Sequence, residues 1–166
     1  MNYVTVRPAR VLLRAGADAT VTLRAGLRGG APGDHRLVLL LVGRPLDRGG
    51  VAVRLRVGVP VRVRMPGRIV RRLDIRGLRV RRHKRERVLL VAVANAGNVT
   101  EQLRGLVTVT ISRRGRVVSR LRPRHPRELF PARRTVLALP YTGRVRGLVS
   151  VLVKARDKER RYRLRL

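Results

Sequence analysis

The sequence predicts an all-β protein built of two small sandwich units in tandem, the first short or incomplete. Three observations lead there. Apolar residues recur with period two, most clearly at 51–65. There Val51, Val53, Leu55, Val57, Val59, Val61, Val63 and Met65 share one face, and Arg54, Arg56, Arg62 and Arg64 lie on the other. Turn signals rich in Gly, Pro and Asn separate the strands at the roughly 8–12-residue spacing of sandwiches and barrels. No amphipathic helical segment of useful length interrupts them.

Taken in order, 2–7 and 10–13 read as short edge strands, and 19–25 alternates Ala19, Val21, Leu23 and Ala25 with polar residues. The continuous apolar run 36–42 reads as a strand covered on both faces. Turns are expected at 15–18, 28–34 and 43–50. Pro60 has no N–H to donate, so it marks an edge position or a break that divides 51–65 into two strands. The MPGR segment at 65–68 punctuates the chain and sets unit boundaries at 1–66 and 67–166. Beyond it come 69–80, broken by Gly77, a solvated basic turn at 81–87, and strands at 88–94, 103–112, 116–121, 134–139, 147–154 and 161–166. The segment 111–118 reads as a hairpin with Gly115 in its turn. The second unit reaches the ~100 residues of a complete immunoglobulin-like sandwich; the first does not. The first is therefore expected to lack strands and to expose a sheet edge. That edge would pair with a neighbouring subunit, giving a homo-oligomer, or be completed by residues upstream of Met1.

Composition limits the chemistry. The 166 residues carry 41 Lys+Arg, only three of them lysines, against nine Asp+Glu, for a formal net charge of +32. A genome whose codons favour arginine would produce this bias; so would a need to bind polyanions, because guanidinium bonds phosphate and carboxylate in pairs. Under either reading the surface attracts polyanions non-specifically. The aromatics are Phe130, Tyr3, Tyr141 and Tyr162, so the core must be aliphatic. Without cysteine there is no disulfide and no thiolate chemistry. No apolar run approaches the ~20 residues of a transmembrane helix. Arg7, Arg10, Arg14 and Asp18 interrupt any leader-like apolar stretch in 1–20, so export would require a leader outside this sequence.

Several segments carry a family resemblance. VAVRLRVGVPVRVRMPG at 51–67 looks like the last strand of one immunoglobulin-like surface domain leading into the next. LLVAVANAGN at 89–98 resembles the strand and loop that open many bacterial surface domains of this kind. GAPGDHRLVLLLV at 30–42 and ELFPARRTVLALPYTGRVRGLVSVLV at 128–153 complete the pattern. Together they are similar to envelope proteins that pair a WxL-protein peptidoglycan-binding domain with a second immunoglobulin-like domain, with a fainter likeness to periplasmic pilus chaperones. The resemblance implies two immunoglobulin-like sandwiches in an exported, peptidoglycan-associated protein. The family's binding residues are not defined by a motif, so none is transferred.

Candidate sites are few. Asn95, Gly97 and Asn98 form a loop in which Asn and Gly satisfy turn amides, a structural role. Asn98-Val99-Thr100 matches a glycosylation sequon, read as coincidence in a chain of bacterial aspect. His125 and Glu128 flank Pro126, so their spacing does not bring them to one helical face. Three scattered histidines make no metal set, and Ser112, Ser119 and Ser150 lack the nucleophile elbow. No cofactor motif is present, and no enzyme is expected. The arginines remain. Arg54, Arg56, Arg62 and Arg64, the run containing Arg81, Arg82, Lys84 and Arg85, and the hairpin residues Arg113 and Arg114 are the candidate polyanion contacts.

The leading expectation is a non-catalytic, cell-envelope or extracellular protein contacting a wall polymer or another surface protein. One alternative is a cytoplasmic protein binding nucleic acid without sequence preference, although few aromatics are available for base stacking. The other is a strand-capturing, chaperone-like protein.

Overall fold

A computed structural model describes residues 2–14, 16–27, 30–48, 51–83 and 86–166. The described residues form fifteen strands and no helix, arranged in several antiparallel sheets. Among the described residues no helix is long and apolar enough to cross a membrane. The chain divides into two compact units, Met1–Gly67 and Arg68–Leu166.

The first unit contains β1 (Asn2–Arg7), β2 (Thr22–Leu27), β3 (Gly33–Val42), β4 (Leu46–Arg48), β5 (Val51–Val53) and β6 (Arg56–Met65). They pair as three separate ladders, β1–β2, β3–β6 and β4–β5. Residues 10–13, expected as an edge strand, form none. The expected coverage of the apolar runs is also absent. Val38, Leu40 and Val42 are exposed, while Leu37 and Leu39 are half-buried. On β5, β6 and the link between them, Val53, Leu55, Val57 and Val59 are exposed, and only Val61, Val63 and Met65 reach half-burial. The reason is the number of layers. Every residue of β3 has a cross-strand partner on β6, but among the described side chains of this unit no hydrophobic one is buried. The break in 51–65 falls at Arg54–Leu55, not at Pro60, which lies inside β6 opposite Val38. A strand with a single partner tolerates proline, because the imide nitrogen can face away from the ladder.

The second unit contains β7 (Leu73–His83), β8 (Glu86–Asn95), β9 (Glu101–Gln102), β10 (Val107–Arg113), β11 (Arg116–Leu121), β12 (Glu128–Leu129), β13 (Arg134–Tyr141), β14 (Leu148–Ala155) and β15 (Lys158–Arg165). One sheet has the order β13-β8-β7 and a second the order β11-β10-β14-β15; β9 and β12 form a short ladder of their own. Alternation sets what each sheet hides. Leu89, Val91 and Val93 of β8 and Val149, Val151 and Val153 of β14 are buried in one aliphatic cluster with Val107, Val109 and Ile111 of β10. Tyr162 and Leu164 of β15 pack against it, and Tyr141 is its one fully buried aromatic. The helix-free second unit is therefore sandwich-like, with an aliphatic core.

Two local predictions shift. The register slip near Gly77 is a bulge between Ile75 and Gly77 inside a continuous β7, not a break. The basic run 81–87 is mostly strand: Arg81–His83 end β7, and Glu86 and Arg87 begin β8.

Candidate anion-binding face

The arginines singled out from the sequence are divided between the two units. Arg54, Arg56, Arg62 and Arg64 belong to the first unit; Arg81, Arg82, Arg113 and Arg114 belong to the second. Lys84 and Arg85 lie outside the described residues. Arg64 is already engaged. It stands directly opposite Asp34 and clasps it twice, Nε to Oδ1 at 2.6 Å and Nη2 to Oδ2 at 3.1 Å. The Asp34 side chain is only 1% exposed. The hydrogen bonds that Arg64 donates to the Asp34 carboxylate, and then the carboxylate charge, push the already high Arg64 pKa further up. Arg81 and Arg82 end β7, with Arg82 opposite Arg87. Arg113 pairs with Arg116 across a turn formed by Arg114 and Gly115, both with positive φ, as two-residue hairpins demand.

The NAGN loop is built as a hydrogen-bonded corner. Buried Asn95 donates from Nδ2 to the carbonyls of Val99 and Leu129, both at 2.8 Å, and its Oδ1 accepts the Gly97 amide. Asn98 Oδ1 accepts the Val70 amide, and its Nδ2 donates to the Arg68 carbonyl. Gly97 must be glycine, because a Cβ there would drive into the Val70 carbonyl oxygen and crowd the Arg72 amide. Both asparagine side chains bond to backbone.

Sequence reasoning missed a second device. Glu101 is buried, and two guanidinium groups hold it: Arg156 Nη2 at 3.0 Å and Arg71 Nη1 at 3.3 Å. The acids whose ion pairs are resolved are consumed in the same way. Asp34 takes Arg64, Asp74 takes Arg72 and Arg76, and Glu159 takes Lys154. With 41 basic residues against nine acidic ones, most arginines are left without a counter-charge.

The uncompensated charge is unevenly distributed. Residues 1–67 hold twelve arginines and three aspartates, a net +9; residues 68–166 supply the remaining +23. Within the second unit, the outer face of the β11-β10-β14-β15 sheet displays arginines in register. β15 turns Tyr162 and Leu164 inward and leaves Arg161, Arg163 and Arg165 exposed. Strand register then lines up rows across the sheet. Ser150 stands opposite Ser112 on one side and Arg163 on the other. Leu152 stands between Thr110 and Arg161 in the same manner. Successive outward positions along a strand are about 7 Å apart, and adjacent strands about 4.8 Å.

These rows floor a shallow, open depression of about 710 Å³, with Arg113 and Arg114 at one end and Val117 and Leu148 on its lining. Neither Arg161 nor Arg163 has an ion-pair partner among the described residues. Guanidinium groups beside hydroxyls in an open trough can hold anionic oxygens through charge-assisted bonds while hydroxyls accept or donate to neighbouring polar groups. Among the described residues no group of three His, Cys, Asp or Glu could hold a metal.

No family model, curated protein or solved structure matches the chain.

Proposed function

We propose that the chain is a non-catalytic, immunoglobulin-like binding protein of the cell envelope, and that its second unit contacts an anionic wall polymer through the outer face of the four-stranded sheet. The observation that carries the reading is the Ser112–Ser150–Arg163 row beside Arg161. Its two arginines have no ion-pair partner among the described residues, and they stand beside hydroxyls on a four-stranded sheet. The immunoglobulin-like part of the reading is supported by strand order. A three-stranded sheet of the first, second and fifth long strands and a four-stranded sheet of the third, fourth, sixth and seventh follow the connectivity of such sandwiches. The trough is open and shallow, which suits a linear polymer better than a small molecule. The lack of aromatic side chains on its lining favours phosphate contact over base stacking.

The test is sedimentation of the chain with purified bacterial walls before and after hydrofluoric acid removes their phosphodiester polymers. The reading expects binding to the intact walls and its loss from the stripped ones. Equal binding to both would place the affinity on the peptidoglycan itself and overturn the phosphodiester-polymer assignment.

A second reading has its own observation. Each strand of the first unit pairs with a single partner among the described residues, so β3 and β6, ten residues each, both present an edge. Such edges accept an added strand through main-chain bonds. Protection of β6 amides from exchange on mixing with a candidate partner would support strand capture.

A further inference from the structure

The link between β1 and β2 carries an unusual segment. Arg10, Val11, Leu12, Leu13 and Arg14 are all exposed, with Leu12 at 91%, Leu13 at 55% and Val11 at 41%. Polar turn residues ordinarily occupy such a position, and three consecutive exposed aliphatics imply a partner phase that is itself apolar. The segment ends at a turn closed by the Ala17 amide on the Arg14 carbonyl, so the aliphatic triplet is bracketed by a cation at each end. The rest of the unit adds to the same character. Val38, Leu40 and Val42 project from one face of the β3–β6 ladder, and no described hydrophobic side chain in the unit is buried.

We infer that the Arg10–Arg14 segment is a membrane-docking loop for an anionic lipid surface. Leu12 and Leu13 enter the boundary between headgroups and acyl chains, while Arg10 and Arg14 bond the lipid phosphates. Charge and apolarity together select this partner. An aliphatic pair has nothing to stack on a nucleobase, and a second copy of a +32 chain would be repelled. An anionic bilayer satisfies both halves at once: exposed apolar side chains gain burial, and each nearby arginine gains from the negative surface potential. This inference stands apart from polymer binding, because it uses the first unit and none of the sheet-face residues.

The test exploits the absence of cysteine. The L12C chain carries a single thiol for an environment-sensitive fluorophore; a Q102C chain, labelled on the second unit, is the control. Both are mixed with vesicles of phosphatidylglycerol and phosphatidylcholine, and with phosphatidylcholine alone, in 0.15 M salt. A blue shift and several-fold brightening of the L12C label on anionic vesicles only, with an unmoved Q102C label, is the expected result. A second variant, L13D, should lower partitioning of the otherwise native chain at least tenfold while leaving its wall-polymer binding unchanged. An unmoved L12C label on anionic vesicles overturns the inference. So does an L13D chain that partitions like the native one. A shift of the L12C label by poly-glutamate without lipid would reassign the loop to acidic peptides and equally overturn it.

Discussion

Arg156 Nη2 donates to Glu101 Oε2 at 3.0 Å, joining the β14–β15 turn to β9. The glutamate side chain is 2% exposed and the arginine 25%, so the pair is asymmetric. Removing the arginine strands a buried carboxylate on the longer Arg71 contacts of 3.3–3.4 Å. Removing the carboxylate charge leaves cations that reach water. Arg156→Met is expected to cost about 3 kcal/mol, and Glu101→Gln about 1–2 kcal/mol. Urea denaturation gives the ranking; a costlier Glu101→Gln would show that the glutamate and not the cation is the exposed member.

The Asn95–Asn98 corner is expected to be a structural hot spot. The Ala96 amide donates to Arg72 and the Asn98 amide to Val70, which presses Gly97 against the intervening backbone. Gly97→Ala should cost about 1–3 kcal/mol, since backbone cannot swing aside as a flexible side chain does. Asn95→Ala removes two donated bonds and one accepted bond at a buried site, and about 2 kcal/mol or more is expected. Thermal melts of the full chain compare the two; unchanged midpoints would return the loop to candidacy as a ligand site.

The units should differ in how their amides exchange. Leu89 and Val151 lie in a closed core, whereas Leu40 is more than half exposed on a two-stranded ladder. Leu89→Ala is expected to cost about 2–5 kcal/mol, and Leu40→Ala to stay within about 0.5 kcal/mol. Amides of β8 and β14 should then exchange only through global opening of the second unit, and those of β3 and β6 much faster. Equal protection in both would mean that the first unit closes a core of its own.

These contrasts explain what the sequence could disclose. Period two is a local property, so most of the long strands of the second unit were readable directly, while the two-residue β9 and β12 gave no signal. Coverage is not local. The run 36–42 looks like a strand buried on both faces, yet whether a layer closes over Leu40 depends on residues elsewhere in the chain. The break at Arg54–Leu55 carried no proline or glycine to announce it, while Pro60 sat harmlessly on a strand with one partner. The candidate face was hidden for a similar reason. Ser112, Ser150 and Arg163 become neighbours only when the registers of β10, β14 and β15 are known. The alternation of Arg161, Arg163 and Arg165 with Tyr162 and Leu164 was the one local signal pointing there. Glu101 gave none, because its burial follows from the distant Arg71 and Arg156.

The proposed site places anion binding on that sheet face and not in the arginine excess at large. Affinity for duplex DNA, used as a rigid polyanion, measured across a salt series tests it most directly. Each phosphate neutralised contributes about −0.9 to the slope of log affinity against log salt. The double variant R161Q/R163Q is expected to weaken binding at every DNA sequence and to flatten the slope by about 1.8. The matched variant R54Q/R56Q, on the first unit, should leave slope and affinity unchanged. Equal losses from the two double variants would contradict the account and make the positive charge a diffuse field with no site.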